Sequence, residues 1–556
     1  MPVRIPVDRH QTVVSVLEEA AQVNADTEAL VEPGSPGGRR SLTFAEWDRA
    51  ADGAAGFLAA RGVTKGDVVC LMMPSGIDYA VAYAALARLG AITSGINPRM
   101  GASEVVSIVE RTSPVLLVTD PEVPVPPGAA AVDRVARAEV RGTWAGDPPP
   151  RPALGAHDPV ALVWTSGTTG QPKGALFDHA NLAAVALGTD VICQPGDRRL
   201  FPVPFAHVGY MTRVWDEIAN AVTTVISPTP WRADEALRIM AAERITVAQG
   251  VPTQYALMLA SPELDRVDLS SLRIATTGAA RMAASMVAEV RRRFGVPVVV
   301  RYTSTEASLG TSTTLSSSDE EVATTVGQPV AGVELAIVDD EGAPVRDGEV
   351  GRVLLRSAAV MRGYWGRGPG RGRSAAELID REATGRVLAD DGWLTTGDFG
   401  RRTPEGNLQL SGRTNERYIR GGYNVYPAEV EEVLATHPDV ARVAVVGAPD
   451  DVLGEIGVAV VVPAPGARPE LGALRAHCAG ELADYKAPDV LVVVDELPLT
   501  AMMKVDPNGL VSLAQQGVAE RRATLAARKA GAVPGVLGSG PADRSGDGGP
   551  DEKERA

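Results

Sequence analysis

Between residues 41 and 120, helical and strand patterns take turns along the chain. Ser41 or Thr43 offers an N-cap to a periodic apolar run that stops at Gly62, the punctuation expected of a helix. Residues 65–73 then read as a short apolar strand and 78–90 as an amphipathic helix. Residues 91–98 read as extended chain and 114–120 as a second buried strand. Alternation of this kind predicts an α/β fold built on a mostly parallel, doubly wound sheet. With 556 residues, and roughly 100–200 per domain, about three structural units are expected.

The pattern changes mark those units. Residues 121–157 are rich in Pro and Gly and read as a linker or excursion. Alternation resumes at 158 and runs to about 305. From 325 to 360 short strands are punctuated by turns at 339–342 and 346–349, which predicts a small β subdomain. Residues 366–386 are rich in Gly and Arg and read as a mobile surface loop. We expect a large N-terminal domain over 1–412 and a small α+β domain over 413–512. The tail, 513–556, has the composition of a weakly structured or disordered segment.

The chemistry concentrates in residues 161–174. An apolar strand there ends in a loop with hydroxyls at Thr165, Ser166, Thr168 and Thr169, glycines at Gly167 and Gly170, and one lysine, Lys173. Glycines let backbone N–H groups approach an anion, hydroxyls add donors and the lysine adds a movable charge, so the loop suits a polyphosphate. The GxxxxGK[ST] spacing of a Walker A loop is absent. On composition alone the segment also suits a plain polar turn.

Charge bears on partners. The chain carries 54 basic and 69 acidic residues, a net charge of −15. That balance argues against a general nucleic-acid or anionic-membrane binder, but not against a local cationic site. Only six of the basic residues are lysine: Lys65, Lys173, Lys486, Lys504, Lys529 and Lys553. A lysine is a compact charge on a flexible stem where arginine is a rigid fork, so each lysine invites a specific role. Cys70, Cys193 and Cys478 are odd in number and far apart, which argues against a disulfide framework or a zinc cluster. The first residues have no signal-peptide core, and no apolar run reaches the length of a membrane span. A cytoplasmic protein is expected.

The run Thr165–Gly174 (TSGTTGQPKG) resembles the phosphate loop of the adenylate-forming superfamily, which includes acyl-CoA synthetases, luciferases and peptide-synthetase adenylation domains. Further matches follow in order over about residues 10–512. The closest type is a free-standing fatty-acid or aryl-acid CoA ligase. The resemblance implies that the loop closes over the β- and γ-phosphates of ATP. It makes His207, in Pro204–Gly209, a residue that gates or lines the carboxylate pocket; Ala206 stands there in place of the usual aromatic. Gly278 belongs to a strand end that meets the adenine. In Arg301–Glu306, Tyr302 packs on adenine, Thr305 contacts the α-phosphate or carboxylate, and Glu306 holds Mg²⁺. Thr303 replaces a usual Gly and narrows the acyl entrance.

Further along, the resemblance assigns Asp398 to both ribose hydroxyls and Arg413 to ribose or phosphate. It makes position 415, here Asn415, the hinge of a mobile C-terminal domain, and lets Gly421 and Gly422 line a pantetheine tunnel. Lys504 bridges the carboxylate and the α-phosphate, with Met503 where a Gly is usual. Lys65 and Lys486 also fall on family patterns. The implied reaction has two steps: a carboxylate attacks ATP to give an acyl-adenylate and pyrophosphate, and a nucleophile then displaces AMP.

The pocket motif lacks the Asp that amino-acid-activating relatives use, so the implied substrate is a small carboxylic acid, aliphatic or aromatic. Coenzyme A is the expected acceptor. Amide formation with an amine, or nitrite activation for diazotisation, is an alternative second step. A non-catalytic binding protein on the same fold is an alternative of another class. A homodimer is a further expectation.

Overall fold

The computed structural model describes residues 2–35, 38–165, 172–278, 280–413, 417–420, 423–450, 452–479, 481–500 and 504–529. Two large sheets form the body of the molecule. In a seven-stranded sheet, Pro159–Thr165, Ile92–Gly95, Val68–Met72, Leu116–Thr119 and Arg134–Ala136 run parallel, as the alternation predicts. Lys173–Asp178 and Gly363–Tyr364 join its edge antiparallel. The second sheet has nine strands, with Val298–Tyr302, Ile274–Gly278, Val247–Gln249, Arg198–Phe201 and Thr223–Ile226 parallel at its centre. These strands are short and largely buried because helices cover both sides.

Three helices show how the sequence builds the core between the sheets. Phe44–Ala60 begins at Thr43, which caps the Glu46 amide and is capped in return by the Glu46 side chain. Its buried face carries Phe44, Trp47 and Leu58. Together with Val13–Val23 and Ile77–Leu89 it supplies much of the largest apolar cluster.

The expected β subdomain is a four-stranded antiparallel sheet of Val333–Val338, Gly351–Ser357, Leu394–Arg402 and Leu408–Arg413. Beyond it, Tyr418–Arg420, Tyr423–Val425, Val440–Asp450, Gly454–Pro463 and Val490–Val493 form a separate five-stranded sheet.

Three local readings change. The Pro/Gly-rich stretch 121–157 contains the strand Arg134–Ala136 and the helix Arg137–Arg141. Arginines dock them: Arg137 pairs with Asp120 and Arg141 with Asp78. Residues 366–386 carry two short helices, Ala375–Leu378 and Arg381–Gly385, pinned by buried Leu378 and an Arg371–Asp67 pair. The helix Pro507–Lys529 runs across residue 512 and buries Leu510, Ala514 and Val518 against the C-terminal sheet. Residues 530–556 lie outside the described residues. No described helix is long and apolar enough to cross a membrane.

Candidate active site

Lys173 and Thr165 face each other across the hairpin formed by Pro159–Thr165 and Lys173–Asp178. The Thr165 hydroxyl donates to the Lys173 carbonyl at 3.4 Å, closing the base of the loop. Ser166, Gly167, Thr168, Thr169 and Gly170 lie outside the described residues. On the far side of Lys173–Asp178, Tyr364 pairs in register with Ala175. Its ring lies beneath the Lys173 ammonium, 5.2 Å from centroid to Nζ, within cation–π range. The Tyr364 hydroxyl donates to Glu306 Oε1 at 2.7 Å, and the Met361 amide donates to the Glu306 carbonyl at 2.8 Å. Burial first, and Glu306 second, push the Tyr364 phenol up, so it stays a donor. Sequence reasoning missed Tyr364; its signal is an aromatic pair between glycines, Gly363-Tyr364-Trp365-Gly366.

The nucleotide corner lies where Ile274–Gly278 and Val298–Tyr302 end side by side. Gly278 sits opposite Arg301, and a Cβ there would lie 2.6 Å from the Arg301 carbonyl oxygen. No side chain fits, so the strand end presents bare backbone to the cleft. Next to it, Asp398 is 4% exposed, with one partner on each carboxylate oxygen. Its Oδ2 accepts from the Tyr302 hydroxyl at 2.5 Å and its Oδ1 from Arg413 Nε at 2.8 Å. Its amide donates to Thr396 Oγ1 at 3.1 Å. Asp398 and Arg413 also pair across the Leu394–Arg402/Leu408–Arg413 ladder, so the sheet register fixes their meeting. A carboxylate has about four lone-pair directions, which leaves room for ribose hydroxyls. Thr305 is half-buried in the segment after Tyr302, one residue before half-buried Glu306.

His207 caps the short helix Val208–Met211, its Nδ1 accepting from the Gly209 amide at 3.1 Å. The ring is therefore assigned as the tautomer with hydrogen on Nε2. Burial, and then the charge of Lys504, push it down to about 4, so it is neutral at physiological pH. Lys504 reaches this place from the C-terminal unit. The Thr500 amide donates to the Lys504 carbonyl at 2.7 Å and Leu499 bridges Val505. Burial, and then the charge of Arg413, lower the Lys504 ammonium from its ordinary range. Lys504 thus stands within electrostatic reach of both His207 and Arg413.

The C-terminal unit is held in this pose by Arg281, which pairs with Glu432 at 2.6 Å and donates to the Leu410 carbonyl at 2.8 Å. Tyr426 packs on Phe399 with ring centroids 5.4 Å apart. Asn415, Gly421, Gly422 and Met503 lie outside the described residues.

One group could hold the Mg²⁺ that the sequence implies. Glu306 Oε1 takes the Tyr364 hydroxyl, and Oε2 makes no hydrogen bond among the described residues. One free carboxylate oxygen beside a polyphosphate site suits Mg²⁺, which keeps waters and binds through few protein oxygens. Among the described residues no cluster of three His, Cys, Asp or Glu offers a protein-only metal cage. The other lysines before the final helix are structural: Lys65 pairs with Asp158 at 2.8 Å and Lys486 with Glu429 at 2.5 Å.

Comparison with known proteins agrees with this geometry. The model of the AMP-binding enzyme family matches residues 17–365, and that of the AMP-binding enzyme C-terminal domain matches 429–504. An indoleacetate–CoA ligase of Aromatoleum aromaticum is 35% identical over 500 residues, covering 86% of this chain and 95% of its own. A feruloyl-CoA synthase of an Amycolatopsis species is 33% identical, covering 84% and 93%. The structure of the amide bond synthetase McbA from Marinactinospora thermotolerans superposes with a TM-score of 0.79 at 28% identity, covering 90% of this chain and 99% of that one. The chain belongs to the AMP-binding enzyme family.

Proposed function

We propose that this protein is an AMP-forming acid–CoA ligase: it adenylates a carboxylic acid with ATP and passes the acyl group to coenzyme A. The observation that carries the reading is that Lys504, from the C-terminal unit, lies within electrostatic range of both His207 and Arg413. Two anions must meet in the first step, so placed cations are the main catalytic requirement. Lys504 supplies one at the junction of carboxylate and α-phosphate. Lys173 supplies another beside the phosphate loop, held over the Tyr364 ring. Neutral His207 keeps a donor, Nε2–H, at the carboxylate side without adding charge. Glu306 would hold Mg²⁺, which supplies charge neutralisation across the phosphates when bound. Asp398 and Arg413 take the ribose.

Thioester formation then needs the acceptor where Lys504 stands. We assign that change to rotation of the unit beyond residue 412, about Asn415, with Gly421 and Gly422 lining the path of pantetheine. ATP and coenzyme A place the enzyme in the cytoplasm. Kinship with two named CoA ligases supports thioester formation. The structural likeness to an amide bond synthetase favours a second reading, amide ligation after the same adenylation.

Mass spectrometry of reactions holding ATP, Mg²⁺, a panel of acids, and either coenzyme A or an amine separates the two. An acyl-CoA product is expected. An amide formed without any thioester would overturn the CoA reading.

A further inference from the structure

Among the described residues, the ion pair that joins the chain before residue 414 to the chain after residue 416 is Arg281–Glu432. Arg281 Nη1 donates to Glu432 Oε2 at 2.6 Å, and Nη2 donates to the Leu410 carbonyl at 2.8 Å. Each member of this trio stands on a fixed base. Arg281 follows the strand Ile274–Gly278 by three residues, and its neighbour Met282 is buried in the second large apolar cluster. Leu410 lies on Leu408–Arg413, the edge strand of the four-stranded sheet. An edge strand leaves carbonyls without a ladder partner, which frees the Leu410 oxygen for a guanidinium. Glu432 lies on the helix Pro427–Leu434, whose Val430 and Leu434 are buried in the core of the C-terminal unit. Its position therefore follows the orientation of that whole unit.

The two acceptors of Arg281 fall on opposite sides of the proposed hinge. Rotation of the unit beyond residue 412 would carry Glu432 away and leave Leu410 in place. The guanidinium is a rigid fork, so the Leu410 contact aims its other arm at one orientation of Glu432. The remaining packing here is less directional: Tyr426 lies on Phe399, and Gly412 leaves room for the Tyr426 ring. The side chains of Arg281 and Glu432 are 33% and 39% exposed. A pair so exposed adds little to the stability of the fold and breaks readily, so it can bias a pose without trapping it.

We infer that Arg281 and Glu432 are positioning residues for adenylation: their pair holds the C-terminal unit in the pose that brings Lys504 toward His207 and Arg413, and it opens when the unit turns for thioester formation. The inference rests on the ligase reading above.

The test is rapid-quench kinetics of the full-length protein, with the two half-reactions timed separately. One reaction forms acyl-adenylate from ATP, Mg²⁺ and an accepted acid without coenzyme A; the other forms acyl-CoA from synthetic acyl-adenylate and coenzyme A. Arg281→Ala and Glu432→Ala should each slow the first step by about twofold to fivefold, the range of an exposed pair, and should not slow the second. The double variant should be no slower than either single one, because both remove the same contact. Glu432→Arg, which sets two cations face to face, should slow the first step further. The gap between wild type and Glu432→Ala should shrink as salt is added. Equal slowing of both half-reactions would assign the pair a general structural role and overturn the inference. An unchanged first step in both single variants, or losses that add in the double variant, would overturn it as well. A wild type that forms no acyl-adenylate would instead sink the ligase reading, and this inference with it.

Discussion

The nucleotide corner and the acyl corner of the cleft are built on opposite plans. Around Asp398 the polar side chains are joined before any ligand arrives: Tyr302 and Arg413 take one oxygen each. Around His207 the charges are loosely matched, with Lys504 cationic and without a hydrogen-bonded carboxylate among the described residues. A closed network fixes geometry and recognises a constant part, the nucleotide. An open one stores electrostatic demand for the parts that change, the acid and the transferred phosphate. The lysines divide along the same line. Lys65 and Lys486 are bound to carboxylates, whereas Lys173 rests on an aromatic ring and Lys504 stands near the Arg413 cation.

The largest effect that could break this contrast is at Lys504. Lys504→Ala should slow ATP–pyrophosphate exchange by about 10²–10³-fold, the scale of losing one placed transition-state group, while the thermal midpoint stays near wild type. Exchange at the wild-type rate would remove Lys504 from the site. Asp398→Asn should act on binding instead, raising KM for ATP by about tenfold to a hundredfold as the charge that holds Arg413 is lost. An equal loss confined to kcat would contradict a ribose-side role. Tyr364→Phe keeps the ring under Lys173 but frees Glu306. Roughly tenfold less exchange is expected, with a steeper dependence on Mg²⁺ concentration; unchanged Mg²⁺ dependence would detach Tyr364 from the metal side.

The pH dependence of stability follows from His207 and His179, each pushed down to about 4 chiefly by burial. Above the ordinary histidine pKa of about 6.5, both the folded and the unfolded chain carry these rings neutral. As pH falls from there toward 4, the unfolded chain binds protons that the folded one refuses, so stability declines. Urea unfolding at pH 7 and pH 5 should show a smaller decline for His207→Gln than for wild type; identical declines would mean His207 titrates freely in the fold. At the small end, Lys65→Ala removes an exposed pair with Asp158. It should cost at most about 1 kcal/mol of stability and leave exchange intact. A large loss of activity would blur the division between the two lysine classes.

Much of this was legible in the chain. Periodicity located the parallel sheets and the β subdomain because buried strands and amphipathic helices leave different patterns. The hydroxyl, glycine and lysine loop announced a phosphate site because that chemistry is local. The interactions that needed long-range register were not legible. Tyr364 joins Lys173 to Glu306 only because its short strand pairs with the strand that begins at Lys173. The docking of residues 134–141 likewise depends on Asp78 and Asp120, carboxylates presented by distant helix and strand ends. A Pro/Gly-rich composition does not reveal such partners.

The central claim is that the site joins a carboxylate to the α-phosphate of ATP. The most direct measurement is the nucleotide released in a single turnover with Mg²⁺ and an accepted acid, resolved by chromatography or phosphorus NMR. AMP and pyrophosphate in equal amounts are predicted. ADP and inorganic phosphate would contradict the account, because they require attack at the terminal phosphate, away from Lys504.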